Sequence, residues 1–387
     1  MNIALIQNIE HSYMQRFKGR PILVSSPGRI NIIGEHTDYN EGFVLPAAID
    51  KGIVSALGKS ESDFCSVFAF DADESYEFST ENMQPIPNGN WRNYVIGVVA
   101  EIQKKGFKVA PFNLVFGGDI PKGAGLSSSA ALENSVVFGL NELFQLGLSK
   151  EDMILISQNA EHHYVGVRCG IMDQYASMFG EEDHALLLDC RTNTATSIKI
   201  DFDNYQLVLI NSNVSHNLVD AEYNNRREVC EKVANLLSIK ALRDATEESL
   251  SIVKSKVSES DYQKALYVIQ ENVRVQKAAQ MIKDNNLSGL GELLFEAHNG
   301  ARDQFKISCK ELDVLIEYAK GHPDVIGARM MGGGFGGCTI NIVKKEGVAS
   351  YIKDISEHYF NAFGFACSPY LVKLSEGTHL THKIYQG

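Results

Sequence analysis

Pro27 to Tyr39 sets Arg29, Glu35, His36 and Asp38 within ten residues of one another, between the apolar, strand-like segments Ile22-Leu23-Val24 and Phe43-Val44-Leu45. A fold that buries both flanks must bring this charge to the edge of a core, where unpaired ionised groups are costly unless something polar meets them. Carboxylates that accept in pairs from neighbouring hydroxyls suit a sugar, and an Arg nearby suits phosphate. Taken alone, the segment also reads as a solvated loop with a local ion pair.

The rest of the chain bounds the setting. At 387 residues it is too long for one ordinary core and suits two domains, which we place at 1–200 and 201–387, dividing in the polar stretch from Arg191 to Asn204. Strand-like segments at Ser66 to Phe70, Asn113 to Phe116, Ala185 to Leu188 and Ser197 to Ile200 are mixed with helical spacing over Trp91 to Lys104 and Glu151 to Val165. After Tyr205 to Ile210 the chain turns helix-rich and closes on strand-like Cys338 to Val343, a helix near Val348 to Phe363 and strand-like Tyr370 to Leu374. Strands and helices do not alternate strictly, so the expected class is α+β rather than a doubly wound parallel sheet. Apolar runs stay far below the roughly 18 residues of a membrane span. The amino terminus carries Glu10, His11 and Arg16 and has no small-residue cleavage site, so a cytoplasmic chain without a secretory signal is expected. Seven cysteines without a C-x-x-C pair argue against a disulfide framework and a zinc cluster. A net charge of −12 disfavours nucleic acid and anionic membranes as partners.

Gly118 to Ala131 follows a strand and opens a helix in which Leu132, Val136, Leu140 and Phe144 recur every four residues. Glycines let the backbone curl close to an anion, free N–H groups at a helix start hold phosphate oxygens, and a serine hydroxyl there can reach magnesium. The pattern G-x-x-x-x-G-K-[ST] is absent, so this is not a Walker loop. Asp173, in Gly170-Ile171-Met172-Asp173-Gln174-Tyr175, reads equally as the N-cap of a short helix and as a catalytic acid. Glu161 alone reads as a solvated helix residue, Tyr223 and Trp91 as core packing, and His162 and His163, which leave a helix in different directions, as packing or surface histidines. Gly332 to Gly337 contains G-x-G-x-x-G, but a strand follows where a dinucleotide fold needs a helix, so a Rossmann reading fails.

Three motifs together change the weight of these alternatives. GRINIIGEHTDY resembles the sugar-binding signature of the galactokinases, a branch of the GHMP kinases; PKGAGLSSSAA resembles the nucleotide loop of GHMP kinases, and ARMMGGGFGGC their third motif. The resemblance implies a two-domain GHMP kinase fold with its active site in the interdomain cleft. It also implies transfer of phosphate from ATP to the anomeric hydroxyl of D-galactose, giving α-D-galactose 1-phosphate and ADP for the Leloir pathway. Carried over position by position, Asp173 is the base and Arg29 its cationic partner, and Glu35, His36, Thr37, Asp38, Gly170 and Tyr223 hold the sugar. Gly123, Ala124, Gly125, Leu126, Ser127, Ser128 and Ser129 wrap the phosphates, Trp91 lies beside the adenine, and Ser129 and Glu161 hold Mg2+. Met331 stands where many relatives carry a small polar residue. A monomer with a small-molecule substrate is expected. A kinase for N-acetylgalactosamine or arabinose would share every motif, whereas a sugar and ATP sensor on this fold would be expected to have lost the base or the loop.

Overall fold

The computed structural model describes residues 2–121, 123–214 and 219–381. Lys122, inside the glycine and serine loop, and His216, ahead of Tyr223, lie outside the described residues. The strands are β1 (Ile22–Asn31), β2 (Phe43–Val44), β3 (Pro46–Lys59), β4 (Cys65–Ala69), β5 (Glu74–Phe78), β6 (Phe112–Gly118), β7 (His184–Asp189), β8 (Thr194–Lys199), β9 (Tyr205–Asn211), β10 (Val325–Met330), β11 (Cys338–Lys344), β12 (Ser368–Val372) and β13 (His379–Leu380). The helices are α1 (Ile3–Arg16), α2 (Trp91–Lys104), α3 (Ser128–Phe144), α4 (Lys150–Ala160), α5 (Met172–Phe179), α6 (Val219–Leu236), α7 (Glu247–Ile252), α8 (Glu259–Lys283), α9 (Leu287–Gly300), α10 (Lys310–Gly321) and α11 (Val348–Phe363). The α+β expectation holds.

Three sheets organise these elements, ordered β13-β1-β3-β6-β4-β5, β10-β11-β9-β12 and β2-β7-β8. In the first sheet, side chains of β3 alternate between two layers, as the period of a strand requires. Val54 and Ala56 meet Leu5, Ile9 and Tyr13, the apolar stripe of α1. Ile53 and Leu57 face the other way, into a core that includes Val95 and Val99 of α2 and Val136 and Leu140 of α3. The second sheet rests one face on α10 and α11 through Val208, Ile210, Leu315, Tyr351 and Ile355.

A further core joins the two halves of the chain. Ile30, Ile32 and Ile33 pack with Leu207 and Leu209 of β9, Ile340 and Ile342 of β11 and Leu290 and Leu294 of α9. The charged segment follows directly on these isoleucines, so it emerges at the rim of that shared core. β1 runs on through Asn31, and Arg29 is therefore a strand residue rather than a loop residue. The helix expected over Glu151 to Val165 ends at Ala160 and continues as one π-helical turn, Glu161–Val165. Among the described residues no helix is long and apolar enough to cross a membrane, and all seven cysteines are free thiols.

Candidate active site

Glycine brings the sugar-signature strand against the phosphate loop. A Cβ on Gly28 would lie 2.6 Å from the Leu126 carbonyl oxygen, so a side chain there would push the two apart. The strand bulges between Pro27 and Arg29, and the Arg29 backbone N–H donates to that same Leu126 carbonyl at 3.1 Å. Arg29 then reaches into the cleft, where Nη1 donates to the Gly125 carbonyl at 2.7 Å. Its Nε and Nη2 donate to the two oxygens of Asp173 at 2.9 and 3.0 Å, a two-point grip of the kind that fixes direction as well as charge. Asp173 sits in the first turn of α5, with Ile171 in the cap position, so of the two readings of Asp173 the N-cap one fails. The Ser127 hydroxyl, held in left-handed backbone at φ 57°, also donates to Asp173, at 2.5 Å. In this structure Ser127 thus faces the acid, while Ser129 faces the cleft.

The cleft has a volume of about 230 Å³, and Arg29, Glu35, His36, Asp38, Asp173 and Tyr223 line it. A larger hollow of about 640 Å³ beside Phe202 and Lys345 gathers none of the motif residues. Glu35 is nearly fully buried and accepts from Arg329 Nη2 at 2.9 Å and from the Gly332 N–H at 2.9 Å. Burial pushes its carboxyl up, yet the charges of Arg329 and Arg29 with the Gly332 N–H more than offset this and hold it below the usual range. His36 bonds through Nε2 to the Gly333 carbonyl at 3.1 Å and through Nδ1 to the Tyr39 hydroxyl at 2.6 Å. A carbonyl only accepts, so Nε2 carries the hydrogen and Nδ1 accepts from Tyr39. Burial pushes this imidazole down to about 4, which keeps it neutral. Asp38 is pushed up to about 7, first by burial and then by the charge of Asp173. Tyr223 is half-buried, its ring 5.0 Å from that of His36.

Thr37 and Gly170, both expected at the sugar, shape the loop from behind the cleft lining. Thr37 is fully buried and its hydroxyl lies 2.9 Å from the Gly34 carbonyl and 2.6 Å from the Phe43 carbonyl, so it holds the loop and does not line the cleft. Gly170 packs under Asp38: a Cβ there would lie 2.1 Å from Asp38 Oδ2. Trp91 stands outside the cleft lining, donating to Glu74 at 3.0 Å with its ring against Phe116 and Tyr76. His162 and His163 diverge as expected, to the Cys169 carbonyl and to Glu101. The third glycine-rich segment precedes β11 and lies on the phosphate loop, where a Cβ on Gly332 would come 3.3 Å from the Gly125 carbonyl. Met331 Sδ accepts the Asn31 N–H at 3.4 Å.

Sequence reasoning missed Arg329 and Glu271. Arg329 is the largest fully buried side chain among the described residues, and Glu271, fully buried on α8, accepts the Gly34 N–H at 3.0 Å beside the Arg274 guanidinium. The one available signal for Arg329 was an arginine three residues ahead of a glycine-rich loop.

The chain's first 59 residues include a match, over residues 11–59, to a family model described as the galactokinase galactose-binding signature. Models of the GHMP kinases N terminal domain and GHMP kinases C terminal match residues 93–181 and 277–360. A galactokinase of Thermotoga petrophila is 39% identical over 355 residues, covering 92% of this chain and 98% of the relative. The chain belongs to the galactokinase family. A galactokinase of Clostridium perfringens is 37% identical, with 96% and 98% of the two chains covered. The crystal structure of Lactococcus lactis galactokinase complexed with galactose superposes with a TM-score of 0.93 at 31% identity, covering 96% of this chain and 99% of that one. Methanococcus jannaschii mevalonate kinase shares the fold, with a TM-score of 0.66 at 17% identity and coverage of 93% and 100%. In this member of the galactokinase family, then, the three motifs meet at one cleft and Asp173 is gripped by an arginine from the sugar signature.

Proposed function

We propose that the chain transfers the γ-phosphoryl group of ATP to the anomeric hydroxyl of D-galactose, with Asp173 as base, giving α-D-galactose 1-phosphate and ADP. The observation that carries this reading is the two-point Arg29–Asp173 pair, where sugar signature and phosphate loop meet. Asp173 accepts the proton of the anomeric hydroxyl as that oxygen bonds to the γ-phosphorus and the bond to the ADP oxygen breaks. Arg29 holds the carboxylate in line and offsets charge that spreads over the transferring group. Asp38 and Glu35, with the Tyr223 hydroxyl, offer acceptors to sugar hydroxyls. His36 keeps the wall rigid, since both its ring nitrogens are engaged.

Ser129 and Glu161 both line the cleft, and two oxygen donors fit a magnesium ion that takes its remaining ligands from nucleotide phosphates and water. When bound there, the ion neutralises phosphate charge. Among the described residues no cluster of three or more His, Cys, Asp or Glu competes for a metal. We further propose the division at 1–200 and 201–387: β9 to β12 all follow it, although β13 returns to the first sheet. A monomer in the cytoplasm completes the reading.

The test is turnover of a panel of free sugars with ATP, alongside Asp173→Ala. Galactose turnover that falls about 10²–10⁴-fold in the variant while galactose still binds supports the base. A variant with near wild-type kcat, or another sugar preferred over galactose, refutes the corresponding part.

A further inference from the structure

The last described segment is built into both elements that carry the catalytic pair. Ser26 precedes Arg29 on β1, Ser177 lies one turn beyond Asp173 on α5, and Thr378 comes from the last described segment; all three are almost wholly buried. The Thr378 N–H and hydroxyl both donate to the Ser177 carbonyl, at 2.8 and 2.9 Å. That carbonyl belongs to the last turn of α5, where the helix itself supplies no donor. A residue 201 positions away therefore caps the helix.

The donors in this cluster follow from counting hydrogens. The hydroxyl of Thr378 has one hydrogen and spends it on the carbonyl, so at 2.8 Å its oxygen accepts from Ser26. Ser26 is then spent as a donor and accepts from the Ser177 hydroxyl at 3.1 Å. Each hydroxyl donates once, and the ring closes on the residue where it began. Around it, Gly377 donates to the Gly180 carbonyl at 2.7 Å, and a Cβ on Gly377 would meet the Met178 carbonyl oxygen at 2.4 Å. Ser25 pairs with His379 and Val24 with Leu380. The opposite end of α5 is pinned separately, by Asn134 of α3 donating to the Gln174 carbonyl at 2.9 Å.

We propose that Thr378 is a positioning residue for phosphoryl transfer: it locks β1 to α5, so that the Arg29 fork and the Asp173 carboxylate stay aligned, without touching either. The inference rests on the reading of Arg29 and Asp173 as the catalytic pair. Thr378→Val removes the hydroxyl at nearly constant volume and keeps the backbone bond, whereas Thr378→Ser keeps the ring. Ser26→Ala keeps the helix cap and removes only the bridge to β1.

The experiment measures kcat, both KM values, galactose affinity without ATP, and melting temperature for the full chain and these variants. In Thr378→Val, kcat falls on the order of 10-fold to 100-fold, the loss typical of a small misplacement of reacting groups. Galactose affinity and both KM values stay near wild type, and Thr378→Ser restores kcat. A lower melting temperature with wild-type kcat overturns the proposal, as does an equal kcat loss in the serine variant or a galactose affinity that falls in step with kcat. If the valine variant does not fold, Ser26→Ala decides: reduced kcat supports the lock and unchanged kcat overturns it. An Asp173→Ala control that retains activity refutes the catalytic pair itself, whatever Thr378 does.

Discussion

Arg329→Met tests the electrostatic support of the sugar loop. The guanidinium donates to the carbonyls of Ile32, Met330 and Asn31 at 2.7, 2.6 and 2.5 Å and to Glu35 Oε1 at 2.9 Å. Both side chains of the ion pair are almost out of solvent, at 2% and 3% exposure. Removing one partner of such a pair costs about 3–5 kcal/mol, because the surviving charge stays buried. Three carbonyls that lose a donor add to this, so the loss is a large fraction of the ~5–15 kcal/mol that holds a typical domain together. The pH dependence has a definite sign. In the wild-type chain the Glu35 carboxyl is held below its ordinary 4.5, so its contribution is present above that pH and is lost as pH falls through the folded value. Without Arg329 burial prevails, the folded state binds the proton more tightly than the unfolded one, and the damage is greatest at high pH. Urea titrations at pH 8 and pH 5.5, read by Trp91 fluorescence and far-ultraviolet circular dichroism, measure the difference. We expect a loss of about 3 kcal/mol or more at pH 8, shrinking at the lower pH, and recovery of at least ~1 kcal/mol in Glu35→Gln/Arg329→Met relative to the single variant. A loss under ~1 kcal/mol, a loss independent of pH, or strict additivity of the two substitutions refutes the reasoning.

Asp38 titrates at about 7 in the folded chain, against an ordinary 3.8, so the folded state takes up a proton between these values and stability falls as pH rises through them. As a hydroxyl acceptor Asp38 works ionised; galactose affinity by calorimetry is therefore expected to rise with pH up to about 7, by as much as ~10-fold per unit, and Asp38→Asn is expected to flatten that slope. Gly170→Ala drives a methyl group into Asp38, so the KM for galactose should rise ~10-fold or more while that for ATP holds; equal changes in both would point to misfolding instead. Glu161→Gln should raise the Mg2+ concentration for half-maximal rate by ~10-fold or more, given that even outer partners of metal ligands are worth 10–100-fold; an unchanged Mg2+ curve removes Glu161 from the metal site.

The candidate site was legible in the sequence because the residues proposed for it are contiguous: Arg29 to Asp38, Gly123 to Ser129 and Gly170 to Asp173 each sit in a short run whose composition no ordinary turn requires. The supports were not. Arg329 reaches Glu35 across 294 positions and Glu271 reaches Gly34 across 237, and neither partner changes the local pattern around the other. Thr37 has the chemistry of a sugar contact in sequence, and only the structure shows its hydroxyl turned to the carbonyls of Gly34 and Phe43. The fold follows the same division. Helices α2 and α11 announce themselves by spacing, but β3 is covered on both faces and interrupted by Asp50, Lys51 and Gly52, so it lacks the alternation of a half-exposed strand. β10 was missed because Gly327 owes its place to α9, where a Cβ would lie 2.3 Å from Gly291 Cα; no local signal encodes such a crossing.

The return of β13 to β1 also sets a clock on the newborn protein. Val24 leaves the ribosome well before its partner Leu380 does, and at ~5–20 residues per second the two are made roughly 20–70 s apart. Throughout that interval β1 is an open sheet edge, able to pair with other chains, and its own chain has not yet supplied the strand that covers it.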